Sequence, residues 1–107
     1  MHTDPTADIA GTFFVGTLTA TLDAISRVFG APAMLKSGKT DAEWRIRLGT
    51  GVCAIYNYKD GHNYRGNQGK SAEQITEWHV GAKSLDVLTE LQRALCCEVY
   101  SPFAPTK

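Results

Sequence analysis

Residues 41–59 read DAEWRIRLGTGVCAIYNYK, and this stretch decides the fold. Ala42, Trp44, Ile46 and Leu48 alternate with Glu43, Arg45 and Arg47. A period of two is the mark of a strand with one buried and one wet face. Gly49-Thr50-Gly51 follows as a hairpin turn, where glycine supplies the positive φ that tight turns need. The returning strand, residues 52–59, is apolar on both faces as far as Tyr56, which predicts a central position. Val52, Ala54, Tyr56 and Tyr58 share one face, and Cys53, Ile55 and Asn57 share the other.

Downstream, KDGHNYRGNQGKS (59–71) reads as a glycine-rich, polar loop in which Gly61, Gly66 and Gly69 leave the chain mobile. Residues 71–76 suggest a half-turn. A further strand places Thr76, Trp78 and Val80 opposite Glu77 and His79, with Gly81 as its end. Ser84 can cap a helix whose apolar stripe is Leu85, Leu88, Leu91 and Leu95. Residues 96–103 supply a short edge strand. Upstream, residues 12–20 form a β-rich stretch with Gly16 as a bulge or a point of close approach. Thr21 caps a helix carrying Leu22, Ile25, Val28 and Phe29, and Asp23 suits its positive start. Gly30 and Pro32 stop it.

The order β-α-β-β-β-α-β predicts an α+β fold: an antiparallel sheet of four to five strands with two helices packed on one face. Residues 1–11 read as a flexible terminus, 12–100 as a single domain and 101–107 as a flexible tail. Glu43-Trp44 and Glu77-Trp78 repeat one pattern, an outward acid beside an inward tryptophan, and indicate similar sheet patterning rather than a duplication.

A chain of 107 residues buries roughly 65% of the surface its unfolded form exposes, so folding requires neither disulfides nor a metal. Eleven cations balance eleven anions, which argues against a DNA- or RNA-polymer binder, whose affinity rests on excess Lys and Arg. Local charge is positive from 59 to 70, where Lys59, Arg65 and Lys70 face Asp60 alone. Cys53, Cys96 and Cys97 contain no CxxC and read as free thiols. No apolar run approaches the roughly 18 residues of a membrane span. The opening residues lack the basic head and apolar centre of a secretory signal, so the expected setting is cytoplasmic.

No catalytic motif is present: no nucleophile–His–acid order, P-loop or HExxH. Glu77 and His79 share a face and could do acid–base work, but a solvated cross-strand pair is commoner, and an enzyme is not expected. His62 has no second ligand at zinc spacing, so neither a metal nor a cofactor is expected. Binding chemistry is better represented. Tyrosine rings stack on bases, and Asn and Gln amides match base edges. Cationic side chains meet phosphates. The candidate site is therefore Tyr56, Asn57, Tyr58, Lys59, Asn63, Tyr64, Arg65, Asn67, Lys70, Trp78 and His79. The alternative for the loop is a plain surface segment whose Tyr58 and Tyr64 cover the sheet edge, and for Trp78, as for Trp44, a place in the core. Arg45 and Arg47 could bind an anion or another protomer, or pair with Glu43 or Glu77.

The blocks TATLDAISRVFGAP, KTDAEW, GVCAIYNYKDG and ITEWHVGA resemble a family of small tailed-phage proteins. That family shows Phe-Gly-x-Pro after its first helix, then DAEW, ATIYxYK and a closing EWHxGG. The likeness covers about residues 16–95 and departs at Cys53 and at Ala82, where a second glycine is usual. It implies a non-catalytic counter-defence factor, and within that class a sponge for a cyclic nucleotide or cyclic ADP-ribose-type immune signal. In that role Tyr56, Tyr58 and Trp78 would stack. Asn57, Asn63 and Asn67 would meet base or ribose, and Lys59, Arg65, Lys70 and His79 would meet phosphate. Sequestration at nanomolar affinity needs about 12 kcal/mol, more than one exposed loop supplies after ordering. A homo-oligomer with pockets between protomers is therefore expected. The rival is a protein–protein inhibitor of a host enzyme, with Arg45 and Arg47 or the tail residues Tyr100 and Phe103 as its contact surface.

Overall fold

The computed structural model describes residues 3, 4 and 6–103. Its strands are β1 (Phe13–Thr19), β2 (Ala33–Met34), β3 (Ala42–Leu48), β4 (Gly51–Tyr56), β5 (Glu77–Ala82) and β6 (Glu98–Tyr100). Its helices are α1 (Leu22–Phe29), α2 (His62–Arg65) and α3 (Asp86–Leu95). The strands form one antiparallel sheet in the order β2-β3-β4-β5-β1-β6. The fold is α+β as expected, with six strands instead of four to five. The added strand, β2, has only two residues behind Pro32, too few for an alternation to register.

The hairpin falls where the alternation puts it. Trp44 pairs with Ile55 and Glu43 with Tyr56, so Ala42, Trp44, Ile46 and Leu48 all reach the core. Ile55 in turn pairs with Val80 on β5, and Trp78 with Leu18 on β1. Ile25 and Phe29 of α1 and Val87, Leu88 and Leu91 of α3 join these residues in one apolar cluster, so both helices cover the same face. Gly81 does not end its strand. It lies inside β5, paired with Ala54 and Phe14.

The two tryptophans locate α1. Trp44 and Trp78 meet edge to face at 5.1 Å and 77°. Trp44 Nε1 donates to Gly30 O at 2.9 Å, just beyond the helix, and Trp78 Nε1 donates to Ala20 O at 2.9 Å, just before it. Each indole is thus fully buried with its one polar atom satisfied, which is what burial of tryptophan requires. The repeated Glu-Trp pattern becomes a clamp on both ends of one helix.

Gly16 has both properties foreseen for it. The register slips between Phe14 and Gly16, so Val15 is an extra residue in β1. A methyl group at Gly16 would collide with the Tyr100 carbonyl oxygen of β6 and come within 2.8 Å of Leu88 Cδ1. Since strand faces alternate, one added residue exchanges faces for everything beyond it. Val15 enters the core, and Phe14 turns to the opposite face of the sheet, which α1 and α3 leave uncovered.

The N-terminal segment, expected to be frayed, makes specific contacts, first along the edge of β3 and then on the uncovered side. Thr3 bridges to Ile46, Asp4 N donates to Arg45 O at 2.7 Å, and Ala7 is buried. Asp4 also pairs with Arg47 at 3.3 Å. Ile9 and Thr12 then reach the surface beside Tyr56 and Gly81.

Candidate aromatic cleft on the uncovered sheet face

Register places one row of side chains across the open face. Glu43 pairs with Tyr56, Tyr56 with His79, His79 with Thr17 and Thr17 with Tyr100. In the next row Ala54 pairs with Gly81, and Gly81 with Phe14. Large rings therefore stand beside a floor made of two small residues. The His79 ring lies 5.2 Å from Phe14, 5.7 Å from Tyr56 in a stacked arrangement and 5.5 Å from Tyr58. Phe103 adds an edge contact to Phe14 at 6.4 Å.

These four rings line a hollow of about 340 Å³. An adjoining one of about 360 Å³ shares Phe14, Tyr56 and Tyr58 and is further lined by Ile9, Thr12, Phe13, Lys39, Thr40, Glu43, Ala54 and Gly81. Each is at the small end of the range for ligand sites. Burial, with Tyr58 and Glu43 nearby, holds the Tyr56 phenol above its ordinary range, so it stays protonated at neutral pH. A larger hollow, about 420 Å³, lies by β2. Its lining is Thr3, Ala31, Pro32, Ala33, Leu35, Glu43 and Arg45, and the last two are already paired at 3.0 Å. It offers no ring to stack on, so the aromatic cleft is the better-equipped site.

The expected site residues divide into three sets. Tyr56, Tyr58 and His79 line the cleft, and Lys59 stands beside it, with its Nζ 5.3 Å from the Tyr58 ring and 5.4 Å from the Tyr64 ring. Asn57, Asn63 and Trp78 have structural work instead. Asn57 is fully buried. Its Oδ1 accepts from the Asp41 and Ala42 amides at 2.8 and 3.1 Å, and its Nδ2 donates to Asp41 Oδ1 and Asp60 Oδ1 at 3.0 and 2.9 Å. Asp41 Oδ2 accepts from Asn63 N at 3.1 Å, and Asn63 Nδ2 donates to the Leu35 and Thr40 carbonyls at 2.7 and 2.9 Å. Trp78 is sealed under α1. Trp78 and Asn57 are fully buried with their polar groups engaged, so the assignment of stacking to Trp78 and of a base contact to Asn57 is corrected; Asn63 is half-buried with its Nδ2 tied to the Leu35 and Thr40 carbonyls.

The loop itself is knitted together. Gly61 bridges to Lys70, and a methyl group on Gly61 would strike Asp41 while one on Gly69 would strike the Gly61 carbonyl. These two glycines serve close approach, not looseness. Arg65 Nε donates to Lys59 O at 2.8 Å, which supports Lys59 at φ 62° in the left-handed region. Tyr64, Arg65, Asn67 and Lys70 are exposed on this loop and outside the cleft lining. Arg45 and Arg47 face Glu43 and Asp4, so the wet face of the hairpin is partly neutralised by its own chain.

Phe14, Lys39 and Thr12 complete the cleft and do not stand out in the sequence. Phe14 has the core parity of Gly16 and Leu18, and only the bulge changes its face. Among the described residues no cluster of three His, Cys, Asp or Glu side chains is placed to hold a metal ion. No helix among them is long and apolar enough to cross a membrane. Comparison with protein-family models, curated proteins and solved structures gives no match for this chain.

Proposed function

We propose that this protein binds a nucleotide signal in the cleft of Phe14, Tyr56, Tyr58 and His79 and holds it without cleaving it. The observation that carries this reading is the convergence of four rings over a floor of Ala54 and Gly81, with Lys39 and Lys59 at the margin. Base–aromatic stacking contributes about 1–3 kcal/mol per base, and ammonium groups meet phosphates as point charges. A cyclic nucleotide or cyclic ADP-ribose-type immune signal is the expected ligand class, in keeping with the resemblance to small tailed-phage proteins. The role is then counter-defence in the cytoplasm of an infected host. With Asn57 and Asn63 engaged elsewhere, base edges are read by Thr40, Glu43, His79 and backbone groups.

The cleft is open on one side, and Tyr58, Phe13, Tyr100 and Phe103 are exposed at 42, 53, 66 and 58%. A second copy covering this rim would complete the enclosure that tight sequestration needs, so the active form is a homo-oligomer. Purified protein incubated with cyclic di- and trinucleotides and cyclic ADP-ribose isomers should deplete one species from the filtrate and release it intact on heating. Converted product would indicate a phosphodiesterase instead. The same exposed Tyr100 and Phe103 also support a second reading, docking onto a host enzyme, for which the expected outcome is a stoichiometric partner in a pull-down and no depletion.

A further inference from the structure

Among the described residues, His79 is the one cleft residue with a buried side-chain polar atom that has no partner. Its Nδ1 is buried and meets no hydrogen-bond partner. The ring is half-buried between Trp78 and Val80 on β5 and is bounded by Phe14, Tyr56 and Tyr58. Nε2 is neither among the buried unpartnered atoms nor hydrogen-bonded to a described residue, and His79 lines the cleft. The two nitrogens of one ring therefore have opposite surroundings.

A neutral imidazole carries one N–H and one bare lone pair, and its surroundings decide which nitrogen has the proton. A proton on Nδ1 would bury an N–H with no acceptor, an arrangement folded proteins rarely tolerate. A proton on Nε2 puts the donor where solvent or ligand can accept from it and leaves only the lone pair buried. We infer that His79 is fixed as the Nε2–H tautomer and serves as a hydrogen-bond donor into the cleft, so that the bound molecule presents an acceptor to it. This inference rests on the reading of the cleft as a nucleotide site and adds to it the polarity of one contact. Two kinds of acceptor on such a ligand fit: a carbonyl or ring nitrogen of the base, and a phosphate oxygen. The rings lining the cleft displace part of the solvent around a bound ligand and so strengthen whichever bond is made. They also leave the ligand few other polar contacts in that hollow, which makes this one a determinant of specificity.

The experiment begins with ligand-free protein. Long-range proton–nitrogen correlation spectra in mildly alkaline buffer should show His79 protonated at Nε2 and bare at Nδ1. A proton on Nδ1 would overturn the inference. Adenosine, uridine and inorganic phosphate are then titrated separately to millimolar concentration. A shift of the Nε2 resonance with a nucleoside assigns the acceptor to the base, and a shift with phosphate alone assigns it to a phosphate oxygen. No response to any of the three contradicts the proposal. Two variants, followed through the Tyr56 ring resonances, make the test independent of His79's own signals. His79→Gln removes one ring but keeps an amide donor at the reach of Nε2, and should retain the better binding of the two variants to the responsive probe. His79→Asn moves the amide toward Nδ1 and should bind it roughly threefold to tenfold more weakly. Equal losses in both variants would overturn the assignment. A protein that shows the tautomer and the probe response yet depletes no cyclic signal would refute the sponge role and leave this contact standing.

Discussion

Asn57 shows how far a single residue can be read. Alternation along residues 52–59 groups it with Cys53 and Ile55, and that side proves to be the core face, not a ligand-facing one. Its partners were not legible, because Asp41 lies 16 positions away and closes on it only when the hairpin forms. A buried amide with all its bonds made is expensive to disturb. Asn57→Asp keeps the shape but sets a carboxylate oxygen against Asp41 Oδ1 and Asp60 Oδ1. The expected loss is about 3 kcal/mol or more, a fall in Tm of roughly 10–20 °C for a domain of this size. An unchanged melting curve would remove Asn57 from its structural role. The same contrast holds for thiols. Burial, with Glu90 nearby, pushes Cys53 up to about 12. Alkylation at neutral pH should therefore take the exposed Cys96 and spare Cys53, as peptide mass mapping would reveal.

At the scale of elements, β3 and α1 were legible because each carries its own period and stop signals, and β4 because a glycine turn leads from β3 into an apolar run. The junctions between elements were not. The bulge at Gly16 was flagged, but its effect depends on register with β5, about sixty residues on, and that register turns Phe14 into the cleft. Gly16→Ala should push β6 away from β1, since the new methyl group meets the Tyr100 carbonyl. The expected cost is about 1–3 kcal/mol, with hydrogen-exchange protection lost first in the β1–β6 ladder. Protection unchanged there would show that β6 does not depend on this approach. A second junction joins α3 to the hairpin turn. Glu90 accepts from Gly49 N, Thr50 N and Thr50 Oγ1 at 3.2, 2.9 and 2.7 Å. The Thr50 bonds, hydroxyl first, hold its carboxyl below the usual glutamate range. Because the folded value is the lower one, this stabilisation is present above the ordinary glutamate pKa and is lost as pH falls through the folded value. Glu90→Ala should thus destabilise the protein at pH 7 and cost progressively less as the pH falls below the ordinary glutamate range, measured by denaturant melts across an acid series.

For the molecule as a whole, the fold class followed from one hairpin and two amphipathic helices. The path of the described residues before β1 did not, because Ala7 and Ile9 form no periodic pattern and the strands they pack against are distant in sequence. That segment nonetheless forms one wall of the cleft and neutralises Arg47. The candidate site was half legible. Tyr56, Tyr58, Lys59 and His79 converge as a polar, aromatic segment beside a neighbouring strand suggests, whereas Trp78 and Asn57 have the right chemistry but face inward, and the Asn63 amide is tied to the Leu35 and Thr40 carbonyls. Residue type alone cannot distinguish an amide that binds a ligand from one that closes a loop. The account therefore rests on Tyr56 and its row. The most direct measurement is depletion of the cyclic-nucleotide and cyclic ADP-ribose panel by equal micromolar amounts of the parent protein, Tyr56→Ala and the exposed-loop control Asn67→Ala. The parent and Asn67→Ala should remove the same single species and return it intact on heating, and Tyr56→Ala should bind it about 5- to 100-fold more weakly, as loss of one stacking platform implies. Depletion of no species by the parent, or equal depletion by Tyr56→Ala, would contradict the claim that this cleft holds the signal.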